Sequence, residues 1–147
     1  MNRLYSESVA DCELASAIEA CSQLQRFTKG RVLFRQGQAP DRLYLLEAGE
    51  VVLTCRLANK SVGGYRAIPG SLLGLPAIAG SQPYSMSATV TRNSTFHVIS
   101  LASFRQIVGS NPRLSFRALE ILAAEVTAAR WLICRALSRK RPVHTPF

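Results

Sequence analysis

Glycine-separated apolar runs in the first half of the chain restrict its fold more than any other feature. From Phe27 to Leu57, Gly30, Gly37 and Gly49 divide runs that are rich in Val, Leu, Phe and Tyr. Short apolar runs separated by turn residues are typical of a sandwich or barrel of strands. Three later segments continue this pattern: GGYRAI, SATVTR and STFHVIS. Turns are predicted at NKSVGG, IPG and RNS.

Helical periodicity flanks the predicted strands on both sides. Residues 7–24 place apolar side chains three to five positions apart and carry their acidic residues early. This pattern is typical of a short amphipathic helix, whose N-terminal dipole favours acids. After the strands, SLASFRQIVGS predicts a second short helix with Ser100 as its N-cap.

The last predicted helix is apolar on more than one face. Asn111 as N-cap and Pro112 at the first helical position mark its start, and it should run to about Leu137. One apolar seam follows alternating steps of three and four: Leu119, Leu122, Val126, Ala129, Ile133 and Ala136. A second stripe lies beside it: Ala118, Ile121, Ala128 and Leu132. Both faces need a cover, so we expect one to pack on the β domain and the other to form a subunit interface. The alternative is a helix packed wholly within its own domain.

The charge of the chain is positive and unevenly placed. Of the formal net charge of +9, residues 113–147 contribute seven basic residues against two acidic ones. The run RALSRKRP can contact nucleic acid or an acidic partner through non-specific electrostatics. Such a run is more often a solvated tail, so both interpretations stay open.

No segment of the sequence predicts a membrane span or a secretory signal. The most apolar stretch, residues 118–137, is interrupted by Glu120, Glu125, Arg130 and Arg135. A span needs roughly 18 or more consecutive apolar residues, and residues 1–13 lack the apolar core of a signal peptide. We therefore expect a soluble, cytoplasmic protein.

Cysteine and histidine spacing argues against a metal site and against an enzyme. The four cysteines (Cys12, Cys21, Cys55 and Cys134) form no close pair, and the two histidines, His97 and His144, lie far apart in sequence. Zinc and iron–sulfur sites need closely spaced ligands, so we expect no metal and buried free thiols instead. The sequence also suggests no Ser-His-Asp or Cys-His arrangement. We therefore expect no catalytic activity.

The segment from Phe27 to Val51 resembles the start of the cyclic nucleotide-binding domain family. The residues that carry the resemblance are Phe27, Lys29, Gly30, Gly37, Asp41, Leu43, Tyr44 and Gly49. It extends over nearly the whole chain and is most similar to the sensor half of Crp/Fnr-type bacterial transcription regulators. It implies an α+β fold, in which a jelly-roll-like antiparallel β-roll is flanked by an N-terminal helix and a long C-terminal helix.

The resemblance also implies a domain organisation and a partner. Residues 1–141 would form one domain, with a dimerisation helix at about 111–138 and a short tail at 142–147. In Crp/Fnr regulators a helix-turn-helix domain follows this helix, whereas only ten residues follow Leu137. We therefore expect a homodimer, or a heterodimer with related regulators, and no sequence-specific DNA binding by this chain alone.

The loop between Gly70 and Val90 stands where the family has its phosphate cassette. The family places a Gly-Glu pair there, whose Glu takes the ribose 2′-hydroxyl, and then an Arg that takes the cyclic phosphate. Gly74 matches the glycine, but Leu75 stands at the Glu position. Met86 stands at the Arg position, or Ser85 if the alignment slips by one. The small residues after the Arg correspond to Ser87, Ala88 and Thr89.

The cassette has therefore lost the charges that cyclic nucleotide binding needs. A buried phosphate without a cationic partner is costly, and the start of a short helix at GLPAIAG compensates only weakly. We expect a degenerate pocket without a cofactor, apolar or filled by Leu75, Ile78, Tyr84 and Met86. Thr127 is a further candidate to face it, unless its hydroxyl bonds its own helix backbone.

These features together predict a non-catalytic sensor or regulatory domain in signal transduction or transcription regulation. Its pocket would be degenerate, and it would act through dimerisation. Two alternatives stay open. One is a genuine module for a cyclic nucleotide or another small effector, and the other is a binder of nucleic acid or an acidic partner through the basic tail.

Overall fold

Ten elements make up the part of the chain that the structure, a computed structural model, describes: residue 10 and residues 12–139. The helices are α1 (Cys12–Ala20), α2 (Leu75–Gly80), α3 (Leu101–Ser110) and α4 (Pro112–Arg139). The strands are β1 (Gln23–Phe27), β2 (Val32–Phe34), β3 (Arg42–Leu57), β4 (Lys60–Ala67), β5 (Leu72–Leu73) and β6 (Ser87–Ser100). None of the helices in these residues combines the length and apolar character that crossing a bilayer requires.

Two long antiparallel strands, β3 and β6, form the centre of a six-stranded sheet. They pair from Arg42 opposite Ser100 to Thr54 opposite Ser87. β4 lies beside β3, while β1 and β2 pair with different parts of β6 and β5 pairs with β3. Because both long strands change partners along their length, the sheet curls on itself. The predicted α+β fold, an antiparallel β-roll with flanking helices, is confirmed.

The sheet bends sharply where Gly49 of β3 faces Ser94 of β6. Gly49 has φ 110°, and a Cβ placed there would lie 2.6 Å from the Cα of Ser94. The register of the two strands shifts three times between Leu46 and Val51. Ser94 Oγ accepts a hydrogen bond from the Glu50 N–H at 3.0 Å, and its hydroxyl donates to the Arg92 carbonyl at 2.6 Å. The turn predicted at RNS is therefore wrong: these residues form a bend inside a continuous strand, because pairing resumes on both sides of the bulge.

The chain reverses between β3 and β4 earlier than predicted. Ala58 and Asn59 both have positive φ, 51° and 63°, as the two-residue type I′ hairpin turn requires. Lys60 already belongs to β4. The turn predicted over NKSVGG is therefore limited to its start, and the following residues are strand.

Two hydrophobic clusters hold the fold together. The first fills the inside of the roll and includes Phe34, Tyr44, Phe96 and Ala88. The second lies between the roll and the helices, and its members come from α1, α2, α3, α4 and the neighbouring strands. Leu75 is fully buried in this second cluster.

The predicted starts of α3 and α4 are confirmed by their caps. Ser100 Oγ accepts a hydrogen bond from the Ser103 N–H at 3.2 Å. Asn111 Oδ1 accepts one from the Arg113 N–H at 3.0 Å, with Pro112 at the first helical position. Both side chains satisfy backbone donors that have no partner within the helix.

The first helix is shorter than predicted. Of the range 7–24, residues 7–9 and 11 lie outside the described residues, and α1 ends at Ala20. Ser22 bonds back to the Glu19 carbonyl, and β1 begins at Gln23 because its backbone pairs with β6. Leu24, the last residue of the predicted range, lies on this strand and is exposed.

The prediction of buried thiols is wrong for three of the four cysteines. Cys12, Cys21 and Cys134 are exposed, and Cys55 near the end of β3 is half-buried. Burial raises the pKa of the Cys55 thiol above its usual value. Cys12 begins α1, Cys21 follows it, and Cys134 lies on a solvent-facing part of α4, so none of the three reaches either cluster.

Candidate functional site

The cassette loop keeps the backbone shape that its glycines predict. Gly74 caps α2 in the left-handed region with φ 95°, and Pro76 stands in the first turn of that helix. A Cβ at Gly74 would lie 3.1 Å from Cε1 of Tyr84, so the absent side chain leaves room for the tyrosine ring. The predicted helical turn in GLPAIAG is confirmed as α2.

Tyr84 enters the roll from the second half of the same loop. Its N–H donates to the Gln38 carbonyl at 2.9 Å, and its carbonyl accepts from the Gly37 N–H at 2.8 Å. Its ring stacks on Phe34, and its hydroxyl donates to the Arg42 carbonyl at 2.9 Å. Burial is the largest of the effects that raise the pKa of Tyr84 above its usual value of 10.0. The loop is thus tied to two strands and fills part of the interior with an aromatic ring.

A cavity of about 140 Å³ remains between the inside of the roll, the cassette and α4. The residues that line it are Phe34, Leu53, Tyr65, Gly74, Pro76, Ala77, Tyr84, Ser85, Met86, Glu125 and Val126. Most of these side chains are apolar or aromatic. Among the described lining residues none is Arg, Lys or His, and Glu125 is the one with a side chain that is charged at neutral pH. The described lining therefore offers a phosphate no cationic side chain, and it includes one acidic residue.

The structure brings only two of the predicted cassette positions to the cavity. Gly74 and Met86 line it, and so does Ser85, the alternative to Met86. Leu75 does not, because the first turn of α2 places it among the helix-side apolar residues of the second cluster. The expectation that Leu75 lines or fills the pocket is therefore wrong. Tyr84 lines the cavity as expected, while Ile78 packs in the second cluster like Leu75.

The other predicted site residues have partners outside the cavity. Ser87 Oγ accepts a hydrogen bond from the Gln36 N–H at 2.9 Å. Ala88 is fully buried in the first cluster, and Thr89 pairs with Val52 in the sheet. Thr127 is exposed, and its hydroxyl donates to the Ala123 carbonyl at 3.0 Å within its own helix. This is the alternative that the sequence left open for Thr127.

Glu125 is the functional candidate that sequence reasoning missed. It is 9% exposed and lies on the stripe of α4 that contains Ala118 and Ile121, both of which pack in the second cluster. Four residues after Ile121, a helix returns to the same face. The sequence carried one signal that could have identified Glu125: it is an acidic residue on a stripe of the helix that is otherwise apolar.

The predicted seam of α4 is exposed only in part, since Leu122 packs against the second hydrophobic cluster. Leu119 is 60% and Val126 54% exposed, whereas the second stripe is buried at Ala118 and Ile121. α4 packs against α1, α2, α3 and β4 with that second stripe. The side chains of Ala128, Ala129, Leu132, Ile133 and Ala136 lie outside the described residues, as does the basic run from Lys140 onwards.

Away from the cavity, a group of polar side chains surrounds His97, at the contact between α1 and the sheet. His97 Nε2 lies 3.2 Å from Glu47 Oε1 and 4.0 Å from Glu19 Oε1, and Nδ1 lies 3.3 Å from Ser22 Oγ. The sequence suggested no such Ser-His-acid grouping, since its members are up to 78 positions apart. Ser22 also bonds the Glu19 carbonyl at the end of α1. The described residues contain no group of three or more metal-ligating side chains.

Comparison with known proteins identifies a family and a fold. The profile of the cyclic nucleotide-binding domain matches residues 24–111. No curated protein is similar enough in sequence to count as a match.

Solved structures with the same fold include regulators of the Crp/Fnr type. A cyclic nucleotide-binding domain from Methylobacillus flagellatus has TM-score 0.70 and 20% identity, over 90% of this chain and 75% of that one. The catabolite activator protein of Thermus thermophilus has TM-score 0.69 and 18% identity, over 84% of this chain and 58% of that one. The sensor domain of the transcriptional regulator DNR from Pseudomonas aeruginosa has TM-score 0.60 and 22% identity, over 77% and 80%. This chain thus matches little more than half of the Thermus protein.

Proposed function

Because the chain belongs to the cyclic nucleotide-binding domain family, we propose that it is a non-catalytic sensor domain whose pocket has lost cyclic nucleotide binding. The family relation and the Crp/Fnr-type neighbours support a sensor or regulatory role. The sensor domain of DNR belongs to a transcriptional regulator, and this supports a role in transcription regulation.

The lining of the cavity carries the proposal. Met86, or Ser85 if the alignment slips by one, stands where the resemblance implies an arginine, and both line the cavity together with Glu125, a residue that is 9% exposed. Moving a phosphate out of water costs several kcal/mol unless a cation or several donors replace the water. A nearby carboxylate raises this cost, since like charges repel more strongly in a low-dielectric interior. The site therefore disfavours the anionic part of a cyclic nucleotide.

The occupied interior supports the same conclusion. The stacked rings of Tyr84 and Phe34 fill space inside the roll, and about 140 Å³ remains. Pockets for drug-sized ligands enclose roughly 300–1,000 Å³. A nucleotide would have to displace the Tyr84 ring and break its hydrogen bond to the Arg42 carbonyl.

Self-association through α4 is the second part of the proposal. Five large apolar side chains of α4 are exposed: Phe116, Leu119, Val126, Trp131 and Leu137. Exposed apolar surface of this extent on one element is typical of an interaction site. We propose one domain over residues 1–141, with α4 as its dimerisation helix and a short tail at 142–147. It would form a homodimer, or a mixed dimer with related regulators whose output it would then alter.

Calorimetry and sedimentation test the two parts separately. Titration with cAMP and cGMP should give no heat of binding, and neither nucleotide should raise the melting temperature, because a ligand of the folded state must stabilise it. Sedimentation velocity at micromolar protein should show a dimer. Tight cAMP binding would refute the degenerate pocket, and a monomer at all concentrations would refute the dimer.

A further inference from the structure

The cavity between the roll, the cassette and α4 has an apolar inner wall and about the volume of one small ring. We propose that it binds a neutral molecule with a single aromatic ring. This inference rests on the proposed function, because it names the ligand class of the pocket that has lost cyclic nucleotide binding.

The inner wall of the cavity is buried, whereas its mouth reaches the surface. The residues of the inner wall are each at most 9% exposed: Phe34, Leu53, Ala77, Tyr84 and Met86. Val126 of α4 and Ser85 of the cassette loop also line the cavity, and both are exposed. A small molecule can therefore enter beside α4 and bury its apolar surface against the inner wall, which is the main source of affinity for such ligands.

The polar side chains of the inner lining already interact within the protein. The Tyr84 hydroxyl donates to the Arg42 carbonyl at 2.9 Å, and Tyr65 and Glu125 each have an interaction of their own. A charged ligand would have to displace one of these interactions or stay unpaired, and an unpaired buried charge is costly. A neutral ligand avoids this cost, so the lining favours an uncharged molecule over an anion and over a cation.

Aromatic side chains favour a flat ring among neutral molecules. Phe34, Tyr65 and Tyr84 line the cavity, and the thioether of Met86 lies in the same wall. Aromatic pairs in offset or edge-to-face contact gain more than their buried area accounts for. Contacts between a thioether sulfur and an aromatic ring are also favourable. A ligand ring would therefore extend the aromatic cluster that Phe34 and Tyr84 already form.

The volume of the cavity limits the ligand to one ring. About 140 Å³ is available, and an apolar protein cavity of roughly 150 Å³ is known to bind benzene. One six-membered ring with a short substituent fits this space, whereas a nucleoside or a fused pair of rings does not.

Four probes separate charge and size. Benzyl alcohol, benzylamine and benzoate have matched sizes and are neutral, cationic and anionic at neutral pH, and naphthylmethanol adds a second ring. In calorimetry and thermal-shift titrations, benzyl alcohol should bind at least about tenfold tighter than either ion. It should also bind tighter than naphthylmethanol, although the latter is more apolar. A charged probe or naphthylmethanol that binds as tightly as benzyl alcohol would overturn the proposal.

The methyl group of Met86 reports whether a probe occupies this cavity. Met1 and Met86 are the only methionines of the chain, so methyl-labelled methionine gives two NMR signals. A bound aromatic ring should shift the Met86 signal through its ring current, and Met86→Leu identifies that signal. Saturation with benzyl alcohol that leaves the Met86 signal in place would overturn the proposal.

The same substitution at two positions of α2 tests the site further. Ala77 lines the cavity and is 4% exposed, so Ala77→Leu should occupy part of the space and weaken benzyl alcohol binding at least about tenfold. Ala79→Leu is the matched control, since Ala79 is exposed and lies outside the lining, and it should leave binding unchanged. Unchanged affinity in a folded Ala77→Leu protein would overturn the proposal. If that variant does not fold, the Met86 signal of the unaltered protein decides.

The outcomes for the two proposals differ. A flat response to all four probes in a protein that ignores cAMP would overturn only the aromatic ligand. Tight binding of cAMP would overturn the degenerate pocket itself.

Discussion

The ring of Tyr84 stacks on the ring of Phe34, with centroids 4.1 Å apart and planes 14° from parallel. The first ring comes from the cassette loop and the second from β2, so the contact joins the loop to the inside of the roll. Tyr44 tilts against Phe34 at 6.0 Å and extends the aromatic cluster into β3. This cluster occupies the interior beside the cavity and limits what the cavity can hold.

Stability should fall at alkaline pH because of these buried phenols. Burial raises the pKa of Tyr84 and of Tyr44 above 10.0, so the folded protein keeps both protonated while the unfolded chain ionises them. Their contribution is complete below about pH 10 and is lost as the pH rises through the folded-state values. Tyr84→Phe removes one phenol, so its stability should decline less steeply. Urea unfolding from about pH 8 to about pH 11 measures both slopes.

The same variant should cost about 1 kcal/mol at neutral pH, because the Arg42 carbonyl loses its hydrogen bond from the Tyr84 hydroxyl. Parallel alkaline curves for the two proteins would contradict the assignment of the pH effect to Tyr84.

Gly49→Ala should destabilise the protein by more than about 2 kcal/mol. The new Cβ would lie 2.6 Å from the Ser94 Cα, on a residue whose φ of 110° already disfavours a side chain. Gly109→Ala is the matched control: it lies in α3 with nothing within 4 Å of the added Cβ, so it should be neutral or stabilise by up to about 1 kcal/mol. Chemical denaturation measures both. If Gly49→Ala lowered the free energy of unfolding only slightly, the bend would have to shift enough to accommodate the added Cβ.

Leu119→Glu combined with Val126→Glu should convert a dimer into a monomer. Both side chains are more than half exposed, so the changes should alter monomer stability by no more than about 0.5 kcal/mol while placing charges in the proposed interface. Leu24→Glu is the control, since Leu24 is an exposed apolar side chain (56%) on β1, outside the proposed interface. Sedimentation velocity distinguishes the species. Persistence of the dimer in the double variant would place the interface elsewhere.

Three of the four cysteines should react quickly with thiol reagents, and the fourth should react slowly. Cys12, Cys21 and Cys134 are exposed, whereas Cys55 is half-buried and burial raises its pKa, which lowers its thiolate fraction at neutral pH. Because the thiolate is the nucleophile, Cys55 should react last. Absorbance with a chromogenic disulfide gives the rates, and Cys55→Ser should abolish the slow phase alone. A fast Cys55 would indicate that the end of β3 opens readily.

Local signals in the sequence were sufficient for the starts of α3 and α4. Ser100 and Asn111 cap their helices through backbone groups within three residues, so neighbouring sequence determines the outcome. Gly49 was different. Glycine allows the positive φ that this residue adopts, but whether the chain turns or bends there depends on its pairing with β6, which lies more than forty residues away.

The candidate site was predictable in its backbone and less so in its side chains. Gly74 and Met86 reached the cavity, but Leu75 turned to the second cluster, because the direction of α2 depends on its packing against distant helices. Glu125 escaped notice because a single acid on an amphipathic helix is ordinarily solvated. Only the fold shows that its stripe of α4 faces inwards.

Glu125 and Val126 are consecutive residues, and both line the cavity, yet Val126 also belongs to the exposed seam of α4. A molecule in the cavity and a second helix on the seam would therefore touch the same turn. Thermodynamic reciprocity then applies: if occupancy of the cavity changes the dimer dissociation constant by some factor, dimerisation changes ligand affinity by that same factor. A single turn of α4 would then couple ligand binding in the cavity to dimerisation on the seam.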